Sequence, residues 1–344
     1  MNQPRMPVIM VGTGGFGAHR RRAMRETGLF NLVAAYDINP EALKQAEQED
    51  GARPTASFEE LLETKNAEAL IISTGASSHA AQIMAALRRG LHVFVEKPLA
   101  SSMDDMLEIL KLERETGLVI GSGHVDHSTD APSLAIRDLI ASGELGEIVS
   151  FESSTAHSGG FHLEPGDWRG DRKHNPGGML FHCGVHKIHE LAFYFGPVRR
   201  VRALIRYDLH SSSTADVALC QIELANGILG TLNAYHITPN LQSIAIYGTK
   251  AAIFRDERPW PGEQSLMIQR IPQPMDGSVE ARVPLTVQGK TDPCGNLRSF
   301  HRAITSGSHL YPSALDAAHA LAPVIAAAES AANGGTWIEI PTLP

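Results

Sequence analysis

A glycine loop, one lysine and a cluster of histidines are the residues of this chain whose types and spacing could do chemistry. Val8-Ile9-Met10-Val11 runs directly into Gly12-Thr13-Gly14-Gly15-Phe16-Gly17, and an acid, Asp37, follows 20 positions after Gly17 at the end of the next apolar run. In such a loop Gly12 permits the tight turn, Gly14 lets the backbone approach a pyrophosphate, and Gly17 lets helix and strand pack closely. Thr13, Gly15 and Phe16 complete the cradle, and the helix N-terminus behind it offers oriented amide donors to phosphate. Asp37 would accept hydrogen bonds from an adenosine ribose diol and repel a 2′-phosphate, which favours NAD over NADP. Arg20, Arg21, Arg22 and Arg25 argue the other way, since they could reach a phosphate from the first helix.

Val95-Glu96-Lys97-Pro98 closes a later apolar run, at the carboxyl edge of the expected sheet, where ligands of such folds bind. Eight of the 16 histidines fall between His124 and His189. On a helix, His182, His186 and His189 would share one face, and three imidazoles with a water could make a zinc site. No HExxH spacing with a glutamate base accompanies them, so no metal is expected and a polar substrate pocket is the more economical reading. His157, His162 and His174 belong to a Gly- and Pro-rich stretch ending at Gly178, together with Asp167, Trp168, Arg169, Asp171, Arg172 and Lys173. A long loop of that composition beside a site usually reads substrate.

These residues need elements to position them. Pro7 to Val11, Asn31 to Tyr36, Ala69 to Ser73, Leu91 to Val95 and Leu118 to Gly121 read as strands. They alternate with helices over Phe16 to Thr27, Pro40 to Glu49 (Asn39 as N-cap), His79 to Arg89 and Met103 to Thr116. Such alternation means parallel crossovers, hence a Rossmann-type doubly wound α/β sheet over residues 1–123. After Gly123 the pattern changes. A helix over Pro132 to Ala141 leads into a strand over Glu147 to Ser153, and alternating runs follow at Val198 to Asp208, Asp216 to Leu224, Ile228 to His236 and Leu241 to Gly248. Asn226-Gly227 between two of them signals a hairpin in which both positions tolerate positive φ. Residues 124–344 therefore read as an α+β domain with a large, mostly antiparallel open sheet, ending in an Ala-rich helix over Ser313 to Asn333 and a short strand over Trp337 to Ile340.

Composition excludes several classes. The chain has 344 residues, 43% hydrophobic and 20% charged, with a net charge of −8, so disorder and fibrous folds are out. An acidic balance without a basic block argues against nucleic acid. No apolar run approaches the roughly 18 residues of a membrane span. The N-terminus does not read as a signal peptide, and three scattered cysteines, Cys183, Cys220 and Cys294, point to the cytoplasm.

Taken in order, the motifs closely resemble the Gfo/Idh/MocA family of nicotinamide-dependent sugar and cyclitol oxidoreductases, over nearly the whole chain. They are the GTGGFG loop, Ser73-Thr74-Gly75 with His79 downstream, Glu96-Lys97-Pro98, and Ile140 to Ile148. Asp167-Trp168-Arg169, Gly177-Gly178 with Gly184-Val185-His186, Tyr247-Gly248-Thr249 and Ser299-Phe300 follow. The resemblance implies a hydride transfer between NAD and a secondary hydroxyl or ketone of a sugar, sugar acid or cyclitol. It implies Lys97 and His186 as catalytic residues, a cis Lys97-Pro98 bond, and Ser73, Thr74, His79, Glu96 and Lys97 beside the cofactor. His182, His157, Trp168, Arg169 and Arg172 would bind substrate, Trp168 by stacking on a sugar face. Relatives often assemble through the second face of the sheet, so a homodimer or homotetramer is expected. Two departures stand out: His182 and His189 occupy positions where the family commonly has aspartates, and Gly123-His124-Val125-Asp126-His127 lacks an Asn/Arg pair found in many relatives. Two other readings stay open, an NAD-dependent glycosidase using transient oxidation with tightly held cofactor and a non-catalytic dinucleotide sensor.

Overall fold

The computed structural model describes residues 4–343 except 165, 173, 174, 176, 211, 258–263 and 273–277. The chain forms two compact units. One comprises Met1–Asp126, Asp292–Ala318 and Leu343–Pro344, and the other His127–Thr291 and His319–Thr342. The first unit thus takes in a stretch near residue 300 that a single boundary at residue 123 assigns to the second.

In the first unit β1 (Met6–Val11), α1 (Phe16–Thr27), β2 (Phe30–Tyr36), α2 (Pro40–Asp50), β3 (Arg53–Pro54), α3 (Phe58–Leu62), β4 (Ala69–Ile72), α4 (Ala76–Arg88), β5 (His92–Val95), α5 (Met103–Thr116) and β6 (Ile120–Ser122) follow one another. The strands make a six-stranded parallel sheet in the order β3-β2-β1-β4-β5-β6, the doubly wound arrangement. Helices cover both faces of such a sheet, so its central strands are apolar throughout rather than alternating. All four residues of β4 are buried, and so are Val8, Ile9, Met10 and Val11. Asn39 caps α2 with Pro40 at its first turn, as its sequence suggests. The helix expected from His79 begins three residues earlier, at Ala76, because Gly75 supplies the extended N-cap backbone.

The second unit holds α6 (Ala131–Ala141), β7 (Ile148–Ala156), α7 (Val185–Phe195), β8 (Val198–Arg206), β9 (Val217–Leu224), β10 (Leu229–Tyr235), β11 (Leu241–Gly248), β12 (Ala251–Glu257), β13 (Gln264–Arg270) and β14 (Val283–Pro284). After α8 (Gly295–Ser306) of the first unit, α9 (Ala314–Ala332) runs from one unit into the other, and β15 (Ile338–Glu339) joins the second sheet. That sheet has nine strands in the order β14-β13-β12-β11-β7-β10-β9-β8-β15, antiparallel except where β7 lies beside β10.

The hairpin expected at Asn226-Gly227 forms between β9 and β10, and the sheet also holds strands that the alternation did not suggest. The β9–β10 turn is a three-residue loop in which Gly227 alone has positive φ, at 87°, its amide donating to the Leu224 carbonyl while Asn226 Oδ1 accepts from the Ile228 amide. Glycine therefore takes the left-handed position, and Asn226 acts through its side chain. Strands β12 and β13 went unread in the sequence. In β12 the inward positions are Ala251, Ile253 and Arg255, and a buried arginine hides the alternation.

Candidate functional site

The glycine cradle of the first unit is enforced sterically. A Cβ on Gly12, whose φ is +81°, would lie 2.7 Å from the Ser73 carbonyl carbon and oxygen, and one on Gly17 would lie 2.1 Å from the Gly12 oxygen. A Cβ on Gly14 would meet the Ala42 methyl at 2.9 Å. Gly15 is the N-cap of α1, and among the described residues no side chain caps that helix end. Asp37 reaches back into the loop: its Oδ2 accepts from the Thr13 amide at 2.6 Å and the Gly14 amide at 3.0 Å. Across the loop, the buried Ser73 hydroxyl oxygen has no hydrogen-bond partner among the described residues, which suits a polar ligand lying there. The residues present fit a dinucleotide.

The arginines of α1 have other duties. Arg20 is 6% exposed, with Nε 2.7 Å from Glu96 Oε1 and its guanidinium 4.6 Å from the Phe94 ring centre. Arg21, 1% exposed, donates to the Thr13 carbonyl at 3.3 Å and pairs with Glu49 and Asp50. Arg25 pairs with the same two acids, and Arg22 lies against His19. Three of the four are thus committed to carboxylates, which weakens the case for a 2′-phosphate. Sequence reading had no signal for this, because exposed and buried helix arginines look alike in one dimension.

Lys97 follows β5 at the same edge of the sheet, half-buried, before a cis peptide bond to Pro98. Its turn is held from two sides. Glu96 is anchored by Arg20, which also reaches Asn296 at 3.4 Å, while Asn296 Nδ2 donates to the His124 carbonyl at 2.8 Å. His79 is buried, with Nδ1 2.7 Å from the Pro98 oxygen and Nε2 3.1 Å from the Thr74 oxygen. Burial lowers its pKa, although both carbonyls and Glu96 oppose this. His79 and Glu96 thus hold the loops at this edge of the sheet, and Thr74 donates its hydroxyl to Gln82 Oε1 at 2.7 Å. Phe16 and Ile38 flank the cradle with exposed apolar surface, 59% and 89% accessible. Ile38 was missed in the sequence, where only its place after Asp37 could have marked it.

In the second unit, His157 follows β7 and caps the turn Ser158–His162, Nδ1 accepting from the Gly159 amide at 2.8 Å. Its ring stands edge-on to His182 at 5.9 Å and to His236 at 5.4 Å. Burial, and then the neighbouring His157 and His210, bring His236 down to about 4. His182 sits in a π-helical turn, Leu180–Gly184, its Nδ1 3.5 Å from Cys183 Sγ. His186 lies in the first turn of α7, half-buried.

The expected three-histidine face does not form. His189 is 1% exposed and packs on His127 at 5.1 Å, where burial drives its pKa well down and that of His127 to about 4. It is a neutral core histidine. Among the described residues the side chains that could share a metal ion are instead His157, His182 and Cys183, whose ligand atoms lie within 4.8 Å of one another. A neutral His157 that accepts from the Gly159 amide at Nδ1 carries its proton on Nε2. A metal there would require the cap to be broken.

The loop residues are tied down rather than trailing in solvent. Arg169 pairs with Asp167 at 3.4 Å, and its carbonyl accepts from Asn175 Nδ2 at 2.8 Å. The Arg172 guanidinium lies 3.9 Å from the Tyr207 ring centre, and its amide donates to Ser213 Oγ at 2.9 Å. Trp168 begins the turn Trp168–Gly170, but its side chain, like His174 and Lys173, lies outside the described residues. Beneath His186, α7 is oriented by a buried ionic cluster. Glu190 accepts from Lys187 at 3.1 Å, Arg255 at 3.0 Å and Tyr194 at 3.0 Å, and Arg255 also reaches Asp130 at 3.3 Å.

A parallel sheet of this order, with a glycine cradle answered by an acid at its carboxyl edge, defines a dinucleotide-binding fold. Residues 6–124 match the family described as the GFO/IDH/MocA oxidoreductase family with an NAD-binding Rossmann fold, and residues 133–254 match a GFO/IDH/MocA C-terminal domain. The chain belongs to this family, is an oxidoreductase, and its cofactor is NAD. It is 26% identical over 322 residues to the 1,5-anhydro-D-fructose reductase of Ensifer adhaerens, covering 91% of this chain and 92% of that one. The 2,7-anhydro-N-acetylneuraminate hydratase of Escherichia coli is 27% identical over 253 residues, 71% of this chain and 66% of its own. An oxidoreductase structure from Desulfitobacterium hafniense, described as NADPH-dependent, superimposes with a TM-score of 0.89 at 25% identity, covering 98% of this chain and 99% of that one.

Proposed function

We propose that the protein transfers a hydride between NAD and a secondary hydroxyl or ketone of a sugar, sugar acid or cyclitol. The observation that carries this is Lys97, held at the cradle's edge of the sheet by the Arg20–Glu96 pair and by His79 on the Pro98 carbonyl. When bound, NAD supplies the hydride acceptor. In the direction of oxidation, His186 takes the hydroxyl proton as general base. Lys97 polarises the oxygen and stabilises the developing alkoxide. His182 orients the substrate in place of the usual aspartate, His157 offers it a fixed Nε2–H, and Trp168, Arg169 and Arg172 complete its binding. Asp37 and the exposed Ile38 would hold the adenosine.

Lys97→Ala should lower kcat by about two to three orders of magnitude, measured as NAD⁺ reduction with pyranoses, sugar acids and cyclitols, while the Kd for NAD⁺ changes far less. Near-wild-type turnover in that variant refutes the assignment. Similarity to a hydratase favours a second reading, internal redox with retained cofactor; cofactor that copurifies, and turnover without net change in absorbance, would identify it. Among the described residues no helix is long and apolar enough to cross a membrane, and Cys183, Cys220 and Cys294 form no disulfide. A cytoplasmic setting is part of the same proposal. Exposed Val149, Leu204, Leu219 and Leu229 on β7, β8, β9 and β10 support a homodimer or homotetramer, which a monomeric mass by light scattering would contradict.

A further inference from the structure

The sequence assigns Asp37 to the ribose. In the structure its carboxylate already holds the glycine loop. Oδ2 accepts from three donors, the Thr13 amide at 2.6 Å, the Gly14 amide at 3.0 Å and the Thr13 hydroxyl at 3.2 Å. Oδ1 accepts from the Asn39 amide at 2.8 Å. A carboxylate offers about four lone-pair positions, so Oδ2 is saturated by the loop and Oδ1 alone retains capacity for a ligand hydroxyl. The opposite side of the same peptide is also engaged: the Thr13 carbonyl accepts from Arg21 Nε at 3.3 Å, and both residues are buried. The amide of Gly12 donates to the Tyr36 carbonyl at 2.9 Å, which fixes where the loop leaves the sheet.

We propose that Asp37, with Thr13, is the pin that sets the conformation of the phosphate-binding loop, as well as the group that selects the ribose. Discrimination against a 2′-phosphate is then built into the loop itself. Removing the carboxylate relieves repulsion of the phosphate but frees two amides that need an acceptor, and the cradle loses its shape. An amide at position 37 would turn an NH₂ toward donors, or keep only one accepting oxygen. The consequence is that exchanging Asp37 does not convert the chain to NADP; it weakens both dinucleotides. This inference rests on the NAD reading of the cradle.

The test compares wild type with Asp37→Asn, Asp37→Ser and Thr13→Val. Calorimetry measures binding of NAD⁺, NADP⁺ and reduced nicotinamide mononucleotide, a probe that carries a phosphate but no adenosine ribose. Hydrogen exchange of the ligand-free proteins reads the amides of residues 12–17. For both Asp37 variants we expect at least a tenfold loss for NAD⁺, no gain for NADP⁺, a several-fold loss for the mononucleotide and at least tenfold faster exchange at Thr13 and Gly14. Thr13→Val, which removes one of the three donors to Oδ2, should fall between these and wild type. Tight NADP⁺ binding by an Asp37 variant overturns the proposal, as does unchanged mononucleotide affinity with unchanged exchange, which would leave the carboxylate serving the ribose alone. If wild type binds none of the three ligands, the NAD reading itself fails, and the exchange rates still decide whether Asp37 pins the loop.

Discussion

Glu190 lies wholly within the second unit, where water cannot stabilise its charge, and burial alone would raise its pKa. Lys187 and Arg255 outweigh that and, helped by the Lys187 hydrogen bond, hold it at about 2 against an ordinary 4.5. At about 1.4 kcal/mol per pKa unit, that depression stores about 3 kcal/mol of stability at neutral pH. The folded pKa is depressed, so the contribution is fully present above about 4.5 and is lost as pH falls toward 2. Glu190→Gln keeps the size and one acceptor but removes the charge. Asp130 and Glu257 remain beside Arg255, at 3.3 and 2.8 Å, so the cluster is weakened rather than stripped of acids. For a unit of this size the expected fall in Tm at pH 7 is on the order of 6–12 °C. The assay is thermal unfolding from pH 7 down to pH 3. The gap between wild type and variant should narrow as acid removes the wild-type advantage. A variant melting within about 2 °C of wild type at pH 7, or a gap independent of pH, would refute the reasoning.

Further outcomes follow from the first unit. Gly12→Ala forces a methyl to 2.7 Å from the Ser73 carbonyl at a φ of +81°, so NAD binding should be lost in calorimetry. Gly15→Ala meets nothing within 4 Å, but a φ of +51° with a ψ of −121° lies outside the left-handed helical well, so thermal unfolding should show a loss on the order of 1–3 kcal/mol. Arg20→Met leaves Glu96 buried without its cation, a loss of about 3–5 kcal/mol by chemical denaturation. The same variant should lower kcat more than NAD affinity, since the Lys97 turn depends on that pair; equal stability to wild type would show the pair to be dispensable.

Much of this protein was legible along the chain because its signals are local. The glycine loop, Asp37 and the alternation of short strands with helices depend on backbone geometry and on residues a few positions apart, and they specify the parallel sheet without knowledge of distant contacts. The Asn39 cap and the helix over Met103–Thr116 are of the same kind. Strand β12 was obscured because Arg255 points inward, and a charged residue reads as solvent-facing until its partners are known.

The sequence by itself determined the two-part architecture, the dinucleotide cradle and the identity of the residues able to do chemistry. Tertiary structure alone decided what each of those residues is occupied with. Arg20 and Arg21 serve carboxylates, not a phosphate; His189 is a neutral core residue, while His157 and His182 come together across a turn; Asp37, expected to accept from a ribose, already accepts from the Thr13 and Gly14 amides. The reason is physical. Residue type and spacing set what a side chain is capable of, but protonation state, free hydrogen-bonding capacity and available charge depend on burial and on partners distant in sequence, and only the folded chain brings those together.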